Sequence, residues 1–145
     1  MFGFTLIELL ISISIIGIVV TIASASFITT QKGARDSQRK GHINAYRGAL
    51  EQYANANGGV YPVRTAQTDV KSTGCLGLNP TYIGACVGDP REGIGTPAQL
   101  PYKYQSDADG IKYCVWADLE GSASYFEACS DGRIGEVSTP PTMTL

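Results

Sequence analysis

Glu8 is the only charged side chain between the start of the chain and Lys32. It stands within Gly3-Phe4-Thr5-Leu6-Ile7-Glu8-Leu9-Leu10, and Ile11, Ile13, Ile15, Ile16, Ile18, Val19, Val20 and Ile22 follow. Ionisable groups in an apolar segment of membrane length are costly, rare and paired with a definite partner. A free amine is the natural partner for a carboxylate, and cleavage between Gly3 and Phe4 would create one. Thr5 and Glu8 also have the spacing of a capping box, in which both side chains satisfy backbone N–H groups at a helix start. The two roles are compatible, but capping leaves the Gly3-Phe4 pair unexplained. A secretory signal peptide fits less well. Ala23-Ser24-Ala25 has the small residues of a cleavage site, yet the uncharged run over 9–31 exceeds the usual apolar core and no basic start precedes it.

Four cysteines carry the second piece of chemistry. Cys75, Cys86, Cys114 and Cys129 form no C-x-x-C pair and have no His nearby, which disfavours zinc. An even set in a small domain reads as two disulfides and hence an oxidising compartment. Of the three connectivities, Cys75 with Cys86 and Cys114 with Cys129 is preferred. Asp107-Ala108-Asp109-Gly110 shares the opening of a calcium loop but lacks its remaining spacing and terminal Glu. A Gly-closed hairpin turn accounts for it better. The sole His, His42, lies in a basic helical stretch and reads as a solvated helix residue. No G-x-S-x-G, P-loop or H-E-x-x-H occurs. The chain is therefore expected to be no enzyme, with no catalytic residue, cofactor or metal.

A chain of 145 residues and 15.4 kDa has room for one domain beyond its N-terminal segment. A net charge of −2 and a pI near 5.3 argue against nucleic acid as the default partner. Charge is unevenly placed. Lys32, Arg35, Arg39, Lys40 and Arg47 follow the apolar segment, whereas Asp107, Asp109, Asp118, Glu120, Glu127 and Asp131 come late. The positive-inside tendency would hold the basic cluster in the cytoplasm. The cysteines place the head outside, and the disulfide argument is preferred. The basic run would then neutralise acidic head surfaces or phospholipid headgroups, with contact to DNA as the lesser possibility.

These residues require positioning elements. The segment 4–30 is long enough to span a bilayer, and its Ser and Thr hydroxyls can bond back to the helix or across to neighbours. Gly17 is either a small packing residue or a point where the helix can extend. Ile43, Tyr46, Leu50 and Tyr53 recur at offsets of three and four, which continues the helix as an amphipathic one over 31–57. Lys40, Asn44, Arg47, Glu51 and Asn55 fall on its other side. Asn57-Gly58-Gly59 and then Tyr61-Pro62 stop it. Residues 58–99 read as a long connecting loop with room for one short helix or strand, pinned by Cys75–Cys86. Alternation predicts strands over 101–105, 111–119 and 124–129, with a further short strand over 134–137 and a tail over 138–145. A hairpin centred on Gly121-Ser122 sets Cys114 opposite Cys129, Trp116 opposite Glu127 and Ala117 opposite Phe126. Val115, Ala117, Leu119, Phe126 and Ala128 then share the face on the helix. The fold expected is α+β: a long N-terminal helix packed on a small antiparallel sheet over 100–137.

G-F-T-L-I-E resembles the N-terminal signature of type IV pilins and of the related pseudopilins of type II secretion. The resemblance implies that a prepilin peptidase cuts after Gly3 and that Phe4 becomes a methylated N-terminus. Glu8 then pairs with the terminal amine of a neighbouring subunit, while Thr5 and Gly17 take part in assembly. It also implies a bacterial inner-membrane protein with an extracytoplasmic head, in contact with lipid and an assembly platform, that becomes part of a cell-surface helical homopolymer. The family's basic leader is reduced here to Met1-Phe2-Gly3 without Lys or Arg, as a truncated start would explain. Ala25 stands where relatives often carry Pro. Two disulfides and no acidic calcium loop lean toward a pilus rather than a pseudopilus. A minor or competence pilin that binds DNA is the alternative.

Overall fold

A computed structural model describes residues 4–78, 80–92 and 101–142, with the side chains of 23–25 excepted. Gly3, residues 93–99 of the expected loop, the end of the tail and the Ala23-Ser24-Ala25 side chains lie outside it.

One helix, α1 (Leu6–Ala56), forms the N-terminal part of the described chain. At about 1.5 Å per residue its 51 residues span roughly 76 Å. Hydroxyls in its first half turn back on their own backbone: Ser12 donates to the Glu8 carbonyl at 2.7 Å, Ser14 to that of Leu10 at 2.8 Å and Thr21 to that of Ile18 at 2.7 Å. The helix stops where the glycines allow it. Gly58 and Gly59 adopt φ of 69° and 87°, and the Gly59 N–H closes on the Ala54 carbonyl at 2.7 Å. Side chains with a Cβ rarely take that conformation, so the helix ends in a left-handed cap.

Five antiparallel strands form a single sheet in sequence order: β1 (Thr68–Asp69), β2 (Lys103–Ser106), β3 (Tyr113–Asp118), β4 (Tyr125–Cys129) and β5 (Ile134–Val137). The hairpin register pairs Cys114 with Cys129, Trp116 with Glu127 and Ala117 with Phe126, as the Gly121-Ser122 turn predicts. Val115, Ala117, Leu119, Phe126 and Ala128 point to the helix and enclose a core with Ile43, Tyr46 and Leu50. Each such aliphatic or aromatic burial is worth about 1.5–3 kcal/mol. The second and third strands are shorter than alternation predicts. β2 begins at Lys103 rather than at 101, because the edge partner β1 reaches only to Asp69 opposite Lys103. The loop after α1 contributes β1 and a short turn of 3₁₀ helix (Cys75–Gly77), and it adds Val70, Leu76 and Leu78 to the core.

The sheet also has a second buried side. Trp116, Cys114 and Cys129 pack with Tyr125 on the face away from α1, where Glu127 is buried as well.

Candidate functional site

The first candidate site is the start of α1. Thr5 sits at the N-cap with extended backbone, φ −84° and ψ 149°. Its hydroxyl oxygen accepts from the Glu8 N–H at 3.3 Å, and the Thr5 N–H donates to Glu8 Oε2 at 2.9 Å. The Thr5 hydroxyl donates to the same oxygen at 2.8 Å. Both expected partners are thus joined in a capping box, which satisfies otherwise orphaned N–H groups and places the carboxylate at the positive end of the helix dipole. All contacts to the carboxylate use Oε2. Among the described residues Oε1 has no hydrogen-bond partner, so the cap leaves one acceptor oxygen available.

Beyond the cap the helix is bare. Every large apolar side chain described from Phe4 to Ile28 is exposed, from Leu6 at 86% to Ile11 at 51%. An uncovered apolar surface of this extent is far larger than soluble monomers tolerate, and it marks contact with lipid or protein. α1 is long and apolar enough to cross a membrane. A Cβ built at Gly17 meets nothing within 4 Å, so this glycine serves no packing within its own chain.

Where the bare segment meets the head, a buried ionic cluster fastens three elements together. The Arg39 side chain is fully buried and binds Asp89 in a two-pronged pair, Nε to Oδ2 at 2.6 Å and Nη2 to Oδ1 at 3.0 Å. It also binds Asp36 at 2.7 Å and Glu120. Arg35 pairs with Glu120 at 2.7 Å, and the Asp36 carboxylate accepts the Glu120 and Gly121 N–H groups, each at 2.8 Å. Burial disfavours the charge on Arg39, yet its bonds to Asp89, Glu120 and Asp36 hold its pKa above the ordinary value. The bond from Arg35, followed by that from Arg39, pulls the Glu120 carboxyl down to about 2. Lys40 reaches Glu136 at 2.6 Å. Arg35, Arg39 and Lys40 of the basic cluster are therefore engaged with acidic groups of the head. The sequence offered acidic head surfaces as one destination for this charge, but not which carboxylates would receive it. Its partners on the head lie 50 to 96 residues away and give no local signal.

Two helix residues depart from expectation. His42 is half-buried, with Nδ1 2.7 Å from the Tyr102 hydroxyl, because Tyr102 at the foot of β2 reaches back to α1. Glu51, on the expected polar side, is half-buried too. It accepts from Tyr61 at 2.9 Å and from Tyr113 at 3.0 Å, since those rings close over the end of the core. Burial first, and then Glu51, raises the pKa of both phenols, that of Tyr61 to about 12.

Disulfides join Cys75 to Cys86 and Cys114 to Cys129, with Cα separations of 5.7 Å and 4.1 Å. Asp107 Oδ1 accepts the N–H groups of Ile111 at 2.8 Å and Lys112 at 3.1 Å, which closes this loop as a turn. No grouping of three or more His, Cys, Asp or Glu suited to a metal occurs among the described residues.

A capped apolar helix standing free of a small disulfide-linked α+β head fits a membrane-anchored class of protein. Residues 2–24 match the family model described as the prokaryotic N-terminal methylation motif, which is characteristic of type IV pilins and pseudopilins. The match ends within the bare part of α1, short of the head. No match was found among curated proteins or among solved structures.

Proposed function

We propose that this chain is the structural subunit of a type IV pilus-like extracellular filament. It is inserted in the inner membrane, cut by a prepilin peptidase between Gly3 and Phe4, and methylated on Phe4. An assembly platform then draws it into a helical homopolymer. One observation carries this proposal: the apolar half of α1 is exposed on all sides directly below a folded head. Lipid covers that surface before assembly, and neighbouring helices cover it afterwards. Repeating contacts that do not close on themselves generate an open filament.

Glu8 sets the stagger. Oε2 is held by Thr5, and Oε1 is left to receive the amine of a neighbour's Phe4. Pairing removes two charges from an apolar surrounding at once. A pseudopilus would use the same N-terminus; the paired disulfides and the closed Asp107 turn favour a pilus. DNA capture by the basic cluster is disfavoured because Arg35, Arg39 and Lys40 already bind head carboxylates.

Thr5→Ala and Glu8→Ala separate capping from assembly. Thr5→Ala removes the cap, worth about 1 kcal/mol, and retains the carboxylate, so filaments form at reduced yield. Glu8→Ala inserts into the membrane normally but gives no filaments. Equal filament yields from the two variants in sheared cell-surface material would reduce Glu8 to a helix cap.

A further inference from the structure

The ionic cluster at the foot of the head is lopsided in what it shows to the outside. Its carboxylates are enclosed: the Asp89, Glu120 and Asp36 side chains are 2%, 8% and 10% exposed. Two of its cations lie at the rim. Arg35 and Arg91 both reach Glu120, at 2.7 Å and 3.6 Å, and remain 26% and 38% exposed. Lys32 continues the same helix face, three residues before Arg35 and seven before Arg39. It is exposed and has no partner among the described residues. The one acid a helical turn above it, Asp36, is turned instead to Arg39 at 2.7 Å and to the N–H groups of Glu120 and Gly121, each at 2.8 Å.

Depth decides what meets this rim. The uncharged run over 9–31 has 23 residues and covers about 34 Å at about 1.5 Å per residue. The hydrocarbon core of a bilayer is about 30 Å thick, so a modest tilt fits the run within it. Lys32 is the first charge beyond that run, and its long stem carries the ammonium to headgroup level. Asp36, where the buried part of the helix begins, lies only about 6 Å higher. Acids exposed at this level would be repelled by anionic headgroups. Enclosing them in the cluster leaves the cations to face the lipid.

We infer that Lys32, with Arg35 and Arg91 above it, binds the phosphate groups of anionic phospholipids in the leaflet beneath the head. The inference rests on the membrane-inserted state of the filament proposal. Each cation held at such a surface strengthens the attraction by about fivefold. The contact fixes the height of the head over the bilayer before assembly, and it is given up when the subunit leaves the membrane.

The test uses the full-length chain in vesicles of equal phosphatidylcholine and phosphatidylglycerol. The chain is extracted in mild detergent, and its retained lipids are counted by native mass spectrometry. Wild-type chain retains phosphatidylglycerol in excess, and Lys32→Gln lowers that excess about fivefold. Arg91→Gln lowers it as well. Lys112→Gln removes the same charge beside Tyr113, which binds Glu51 near the other end of the head, and leaves the excess unchanged. Lys32 has no partner to lose, so the melting temperature of Lys32→Gln equals that of the wild type and a lost preference is not a folding defect. Equal retention of the two lipids by the wild type, or an equal fall in Lys112→Gln, overturns the lipid contact and leaves the filament proposal standing. Fewer filaments from Lys32→Gln with an unchanged lipid preference would give the amine to a neighbouring subunit's carboxylate, which also overturns it. A chain that does not float with the vesicles overturns the membrane insertion on which both proposals rest.

Discussion

Arg39→Ala probes the ionic cluster that fixes the head on α1. The guanidinium is fully buried and faces three carboxylates whose side chains are only 2% to 10% exposed: Asp89, Glu120 and Asp36. Removing the cation strands Asp89, whose two oxygens bind no other cation among the described residues, while Glu120 keeps Arg35. Breaking one side of a buried ion pair costs about 3–5 kcal/mol, chiefly because the remaining charge stays desolvated. For a head near a hundred residues, each kcal/mol moves the melting temperature by about 4 °C or more, so a fall of at least about 12 °C is expected. Near-ultraviolet circular dichroism of the solubilised full chain is the appropriate assay, because all the tyrosines and Trp116 lie in the head. Lys71→Ala is the control. Its pair with Glu92 is exposed on both sides, and exposed pairs are worth about 0–1 kcal/mol. A fall of less than about 4 °C for Arg39→Ala, or one equal to that of Lys71→Ala, would refute the role given to this cluster.

Other substitutions and conditions test neighbouring parts. At Gly110, where φ is 68°, an added Cβ would lie 2.7 Å from the Tyr61 carbonyl oxygen. Gly110→Ala should therefore lose on the order of 2–3 kcal/mol in denaturant melts. Tyr113→Phe removes a hydrogen bond to the Glu51 carboxylate. Its expected cost is about 1.5 kcal/mol, the low end for a bond to a charged group, read in the same melts. Because the folded pKa of Glu120 lies below its ordinary 4.5, the stability that it contributes is fully present above that pH. It is lost as pH falls toward about 2. The melting temperature should decline across this window, and Glu120→Gln should flatten that part of the decline while lowering stability at neutral pH.

Short-range features of this fold were legible in the sequence. Offsets of three and four identified Ile43, Tyr46 and Leu50 as the buried stripe, and the glycines after Asn57 marked the helix stop. The Gly121-Ser122 turn fixed every pairing across β3 and β4. What escaped depends on tertiary contact. β1 is two residues long and carries no periodicity of its own; it exists because β2 offers it an edge. Glu51 occupies a helix position that reads as solvated until Tyr61 and Tyr113 fold over it. Asp89 and Glu120 lie in a loop and a turn, where acids are common, so nothing local distinguished them as the partners of a buried arginine. The burial of Trp116 and Glu127 was hidden similarly, since alternation assigns them only to the face away from the helix. At the N-terminus, by contrast, sequence and geometry coincide. Thr5 and Glu8 are neighbours in both, and their cap needs no other element.

The most direct test of the filament proposal is the intact mass and N-terminal sequence of the subunit in sheared surface fibres viewed by electron microscopy. The account predicts filaments whose subunit begins at Phe4, carries one added methyl group there and retains both disulfides. A surface protein that still begins before Phe4, with no filaments in the sheared material, would contradict it.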